Sequence, residues 1–141
     1  MKNAIKSIAT ALILVTSLSA FAGENTNPVK DNSVSTVKSF LEATTSGNLN
    51  FSNQLFAKDF EYYTASKPDE KFNKNQYTEF LKKNKGLQYD CITSYQVLDE
   101  NSDICLAKAT MAFKNFTRVD YITLTRSQDV WKVSKVVTTY P

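Results

Sequence analysis

Histidine is absent from this 141-residue chain, cysteine occurs twice, and glycine and proline occur three times each. Without an imidazole there is no Ser-His-Asp or Cys-His arrangement, no histidine acid/base chemistry and no imidazole-rich zinc or copper site. Two cysteines, Cys91 and Cys105, make a poor metal site. The glycines Gly23, Gly47 and Gly86 are isolated, so no glycine-rich loop is available to cradle phosphate. Positive charge is not concentrated either: the formal net charge is +3, which gives no reason to expect nucleic acid or an anionic membrane as partner. Chemistry is left to carboxylates, tyrosines, lysines and thiols.

What is present begins with an address. Lys2 and Lys6 precede an apolar run from Ile8 to Leu18, and Ala20-Phe21-Ala22 is a small-x-small cleavage site before Gly23. We read residues 1–22 as a signal peptide, 23–31 as a flexible leader and 32–141 as one domain. Removing 22 of 141 residues leaves 119, and losing two lysines takes the net charge from +3 to +1. A chain of that size buries roughly two-thirds of its unfolded surface, enough for a single core. No later run reaches the ~18 apolar residues of a membrane-spanning helix. The reading is an exported protein, periplasmic or secreted, with no membrane anchor after cleavage.

Helical periodicity comes first along the domain. A helix capped near Asn32 or Ser33 carries the stripe Val34, Val37, Phe40 and Leu41 and stops at Gly47. A short one is expected over about Asn50–Ala57. Phe60–Ala65 has strand composition, and Lys67–Glu70 reads as a loop. A third helix opens at Asn73 with Gln76 as its capping-box partner and Phe72 stapled against Tyr77; it buries Tyr77, Phe80 and Leu81 and stops at Gly86. Its last-turn lysines, Lys82, Lys83 and Lys85, oppose the helix dipole and need no binding role. From Leu87 the period falls to two, with strands near Gln88–Leu98, Ile104–Lys114, Arg118–Arg126 and Val130–Tyr140. Short breaks between long strands make an antiparallel meander.

Helices first and a meander last resembles the nuclear transport factor 2-like superfamily, the cystatin-like α+β cone that includes ketosteroid isomerases and scytalone dehydratase. The likeness is carried by the helix ending near Gly47, by Leu55–Phe60, by Val119–Leu124 and by Val130–Val136. The last two look most like the bacterial group labelled "putative lumazine-binding". The resemblance implies an α+β fold, with N-terminal helices packed on the concave face of a curved antiparallel sheet around a hydrophobic pocket. It also implies homodimers through the outer sheet face.

The residues leave three functions open. The leading one is a non-catalytic binding module whose apolar pocket holds a small hydrophobic or aromatic ligand, walled by Tyr63, Tyr77, Phe80, Met111 and Trp131. A lyase or isomerase of the ketosteroid-isomerase kind is the second. It needs an aspartate and a tyrosine converging in the cavity, and Asp120 beside Tyr121 fails because strand neighbours face opposite ways. The third is a structural dimerisation domain. No cofactor, metal or catalytic residue is implied. Export favours a Cys91–Cys105 disulfide, but a hairpin turning between Glu100 and Asn101 sets Cys105 opposite Gln96 and Cys91 opposite Thr110. That separation is far beyond the ~7 Å Cα limit, and free thiols are expected.

Overall fold

The computed structural model describes residues 32–50 and 52–141; the signal peptide and leader expected over 1–31 lie outside the described residues. Helix α1 spans Ser33–Thr45 and starts as its sequence dictates, with the Asn32 side chain accepting the Val34 N–H at 2.9 Å. Val37, Phe40 and Leu41 form its buried stripe, and the chain leaves through Gly47 at φ +65°. Helix α2 is shorter than expected, only Ser52–Leu55. Phe56 already belongs to strand β1, Phe56–Thr64, where it pairs with Val133 and is fully buried.

The expected loop at Lys67–Glu70 is instead part of an edge strand, β2, Lys67–Asn73, paired antiparallel with β1. Every β2 residue is open to water, so its composition looks like a loop. An outermost strand tolerates Pro68, whose missing N–H costs no central ladder bond. Helix α3, Lys74–Lys83, has the full capping box: Asn73 Oδ1 accepts the Gln76 N–H and Gln76 Oε1 accepts the Asn73 N–H, both at 2.9 Å. The Phe72 and Tyr77 rings both pack on Tyr62, at 6.0 and 4.9 Å, so a third ring mediates the staple.

Four long strands follow: β3 Ile92–Glu100, β4 Ile104–Ala112, β5 Thr117–Ser127 and β6 Val130–Thr139. The first begins four residues later than its sequence pattern, because the Tyr89 N–H is drawn to the last turn of α1, donating to Thr45 O at 2.7 Å. The sheet is curved and unclosed, in the order β2-β1-β6-β5-β4-β3. All its pairings are antiparallel except β1 with β6, which is parallel and places the first and last strands side by side.

The three helices cover the inner sheet face. Phe56 is the hub of the aromatic core, with ring centroids 6.4 Å from Phe40, 4.7 Å from Phe60 and 5.5 Å from Tyr77. Each such buried ring contributes roughly 1.5–3 kcal/mol relative to exposure. Cys91 and Cys105 are free thiols, as expected, but the register differs from the one anticipated. Asn101 Oδ1 accepts the N–H groups of Asp103 and Ile104, moving the turn toward the C-terminus and setting Cys105 opposite Glu100. Cys91 adjoins Ile92, at the far end of the same hairpin opposite Ala112.

Candidate functional site

Residues two apart on a strand share a face, and this rule places charge inside the fold. Arg118 and Asp120 both project from β5 beneath the helices, while Tyr121 between Asp120 and Ile122 turns outward and is 44% exposed. Asp120 is fully buried. Arg118 donates from Nε to Asp120 Oδ1 and from Nη2 to Oδ2, each at 2.9 Å. Thr138 stands opposite Asp120 in β6 and donates its hydroxyl to Oδ1 at 2.6 Å. Taking an ion pair out of water costs several kcal/mol per ion, which is tolerable only when the carboxylate is bonded this completely.

Burial alone would weaken the hold of Arg118 on its proton. The charge of Asp120 and the two hydrogen bonds to it outweigh that and hold the guanidinium above its ordinary value. Two phenols adjoin the pair. The Tyr62 ring stacks on Tyr77 with centroids 4.9 Å apart and 29° between planes. Burial raises the pKa of Tyr62, partly offset by the Thr138 hydroxyl and the charge of Arg118. Tyr77 is pushed up further, again chiefly by burial and against the pull of Arg118. Both are therefore neutral hydroxyls, able to donate, across the ordinary pH range.

The Tyr77 hydroxyl and the hydroxyls of Thr44 on α1 and Thr78 on α3 are buried with no hydrogen-bond partner among the described residues. Thr44 is the side chain best placed to meet the phenol, yet no hydrogen bond of sound geometry joins them. A buried hydroxyl left unpaired costs on the order of 1–3 kcal/mol. Three such groups in a core this small, with Tyr77 among them within reach of the Arg118 charge, mark where the fold departs from pure packing.

The five wall candidates do not converge. Tyr77 lies in the cluster, and Met111 is fully buried opposite Arg118 in the β4–β5 register. Phe80 sits beside Tyr77, with centroids 6.0 Å apart, but is 46% exposed. Trp131 is buried at the far end of β6, seven residues and about 20 Å from Thr138. Tyr63 is a correction: it lies on the outer face, where the ammonium groups of Lys71 and Lys135 approach its ring at 5.5 and 5.4 Å. Its neighbour Tyr62 points inward instead. Arg118 and Thr138 are not among the residues singled out from the sequence. Tyr62 is a pocket candidate there, but of it and its strand neighbour, only one of which can face inward, the wall set takes Tyr63. The period-two rule that separated Asp120 from Tyr121 also puts Arg118 on the face of Asp120, so that signal was present.

Among the described residues no group of three or more histidine, cysteine or acidic side chains is placed to hold a metal, and no helix is long and apolar enough to cross a membrane. A protein-family model described as "Putative lumazine-binding" matches residues 30–139. Solved structures share the architecture at low identity. An NTF2-like protein of unknown function from Silicibacter pomeroyi superposes with a TM-score of 0.62 at 12% identity, covering 77% of this chain and 92% of the other. An NTF2-like protein from Cytophaga hutchinsonii gives 0.62 at 14%, covering 77% and 94%. A structure titled "putative ketosteroid isomerase" from Parabacteroides distasonis gives 0.55 at 16%, covering 84% and 94%. No curated protein matches the chain by sequence.

Proposed function

The chain belongs to the "Putative lumazine-binding" family of the NTF2-like fold, and from that premise we propose that it is a non-catalytic binding module for a small planar aromatic ligand. The ligand would bind at the inner sheet end where Tyr62, Tyr77 and Arg118 meet. One observation carries the reading: the Tyr77 hydroxyl is buried, neutral and, among the described residues, without a hydrogen bond of sound geometry, one ring away from a charged pair. A ligand bearing carbonyl or ring-nitrogen acceptors supplies the missing partner, and Tyr62 supplies a flat apolar surface beside it.

The isomerase reading asks Asp120 to take a proton. Both its oxygens are engaged, Oδ1 twice, by Arg118 and Thr138. A general base must be within hydrogen-bond reach of the proton it abstracts, and a carboxylate clamped in an ion pair is poorly suited to that task. The likeness to the Parabacteroides structure concerns fold alone.

Isothermal titration with lumazine tests the proposal. Wild-type protein should bind it, and Tyr77→Phe should bind at least tenfold more weakly, the cost of about one lost hydrogen bond in a dry site. Tyr77→Phe should also melt higher than wild type, because it removes an unpaired buried hydroxyl. Binding unaffected by the change would sink the reading. The proposal further places the mature protein outside the cytoplasm, cut after Ala22. Exported protein should begin at Gly23 on N-terminal sequencing, and a retained Met1 would refute export by this route.

A further inference from the structure

Beyond the buried cluster, the chain carries a line of rings of which Phe113 packs against the core while Phe116 and Tyr140 stand open. Phe113 and Phe116 stack across the β4–β5 turn, with centroids 4.5 Å apart and planes 12° from parallel, and the Phe113 N–H closes that turn on Phe116 O at 2.9 Å. Tyr89 adjoins Phe113 at 5.8 Å and Tyr140 adjoins Phe116 at 6.2 Å. Phe116 and Tyr140 are 51% and 57% exposed. Folding gains little from rings left this open, and a tight hairpin turn has no need of phenylalanine.

Their position supplies the reason. Phe116 is two residues before Arg118 and Tyr140 two after Thr138, so both continue the strand phase of the ion pair, about 7 Å further along. The Tyr140 phenol is close enough to Tyr62 to influence its ionisation, and the charge of Arg118 reaches Cys91 at the start of β3. By strand alternation the exposed rings and the ion pair therefore share one face of the sheet. We propose that Phe116 and Tyr140 form a stacking lip that clamps the outer edge of a flat heteroaromatic ligand whose inner edge meets Tyr62 and Tyr77. This inference rests on the binding reading above and adds where the ligand enters and which face of it is held.

Aromatic lips hold flat rings by stacking, an interaction worth roughly tenfold or more in affinity per ring. Cys91, partly exposed beside this mouth, is a built-in reporter, because Cys105 is wholly buried and shielded from reagent. Lumazine is the probe, titrated calorimetrically into wild type, Phe116→Ala, Tyr140→Ala and the ring-keeping Phe116→Tyr. Modification of Cys91 by a disulfide reagent is followed with and without lumazine. The expected result is a dissociation constant raised about tenfold in each alanine variant, with Phe116→Tyr unchanged, melting temperatures close to wild type, and saturating lumazine slowing the thiol reaction. If wild type binds lumazine and the alanine variants bind equally well, the lip is overturned while the binding reading stands. If wild type binds none, both fall. If the alanine changes leave binding intact but alter the mass in solution, the rings are an interface between copies and the lip is again overturned.

Discussion

Arg118 and Asp120 depend on each other more than the fold depends on either. Replacing Arg118 with Met leaves a fully buried carboxylate with only Thr138 as a partner, and should cost about 3–5 kcal/mol. Converting both, to Arg118→Met with Asp120→Leu, removes the desolvated charges together and should recover most of that loss. Urea unfolding of the two single variants and the double variant measures the coupling; additive losses would contradict it. Retaining such a pair where apolar residues would serve is consistent with a role in recognition. A second residue sets an alkaline limit. Burial, ahead of the opposing Ser33 hydroxyl, pushes the Cys105 thiol up to about 11 from an ordinary 9.0. The folded thiol thus stays neutral where the unfolded one has ionised. Its contribution is whole below pH 9 and is lost as pH rises toward 11, on the order of 2–3 kcal/mol. Cys105→Ala should lose less stability than wild type across that interval, compared as unfolding free energy at pH 8 and pH 11.

Among the elements, the two helix ends show how one glycine can matter more than another. Gly47 at φ +65° and Gly86 at φ +81° both follow helices. A Cβ at Gly47 would be driven into the backbone nitrogen of Gly86, whereas a Cβ at Gly86 meets nothing nearby. Gly86→Ala should cost only the left-handed penalty of about 1–2 kcal/mol, and Gly47→Ala clearly more, since backbone must also shift. Thermal melts of the pair decide it; equal losses would mean that the close approach relaxes freely. The same helices were the most legible parts of the chain, because caps are local chemistry: Asn32, and Asn73 with Gln76, satisfy N–H groups within three residues. The β2 edge strand was not legible. Its pairing with β1 is set by a neighbour rather than by its own pattern, and every residue in it is exposed.

For the molecule as a whole, the meander could be read because alternation is intrinsic to each strand, as in Cys105, Ala107, Ala109 and Met111 buried on β4. The parallel meeting of β1 with β6 could not, since nothing in Phe56–Thr64 names a partner some seventy residues away. The site suffered for the same reason. Tyr62 and Tyr63 compete for the inner face, and it is the pairing of Tyr62 with buried Val136 that settles the phase. Trp131 and Tyr77 are both buried, yet they lie far apart, because residues that share a face can sit at opposite ends of it.

That late pairing sets the order of events during folding. The helices and β1 are made first but cannot close until the last dozen residues exist, and contacts of such long range are slow to form. Asp120 gains the Thr138 bond only at that final step. On the proposed binding reading, ligand uptake therefore depends on β6 being in place: a molecule clipped before Thr138 should keep its β3–β5 hairpins and their circular dichroism yet take up no lumazine.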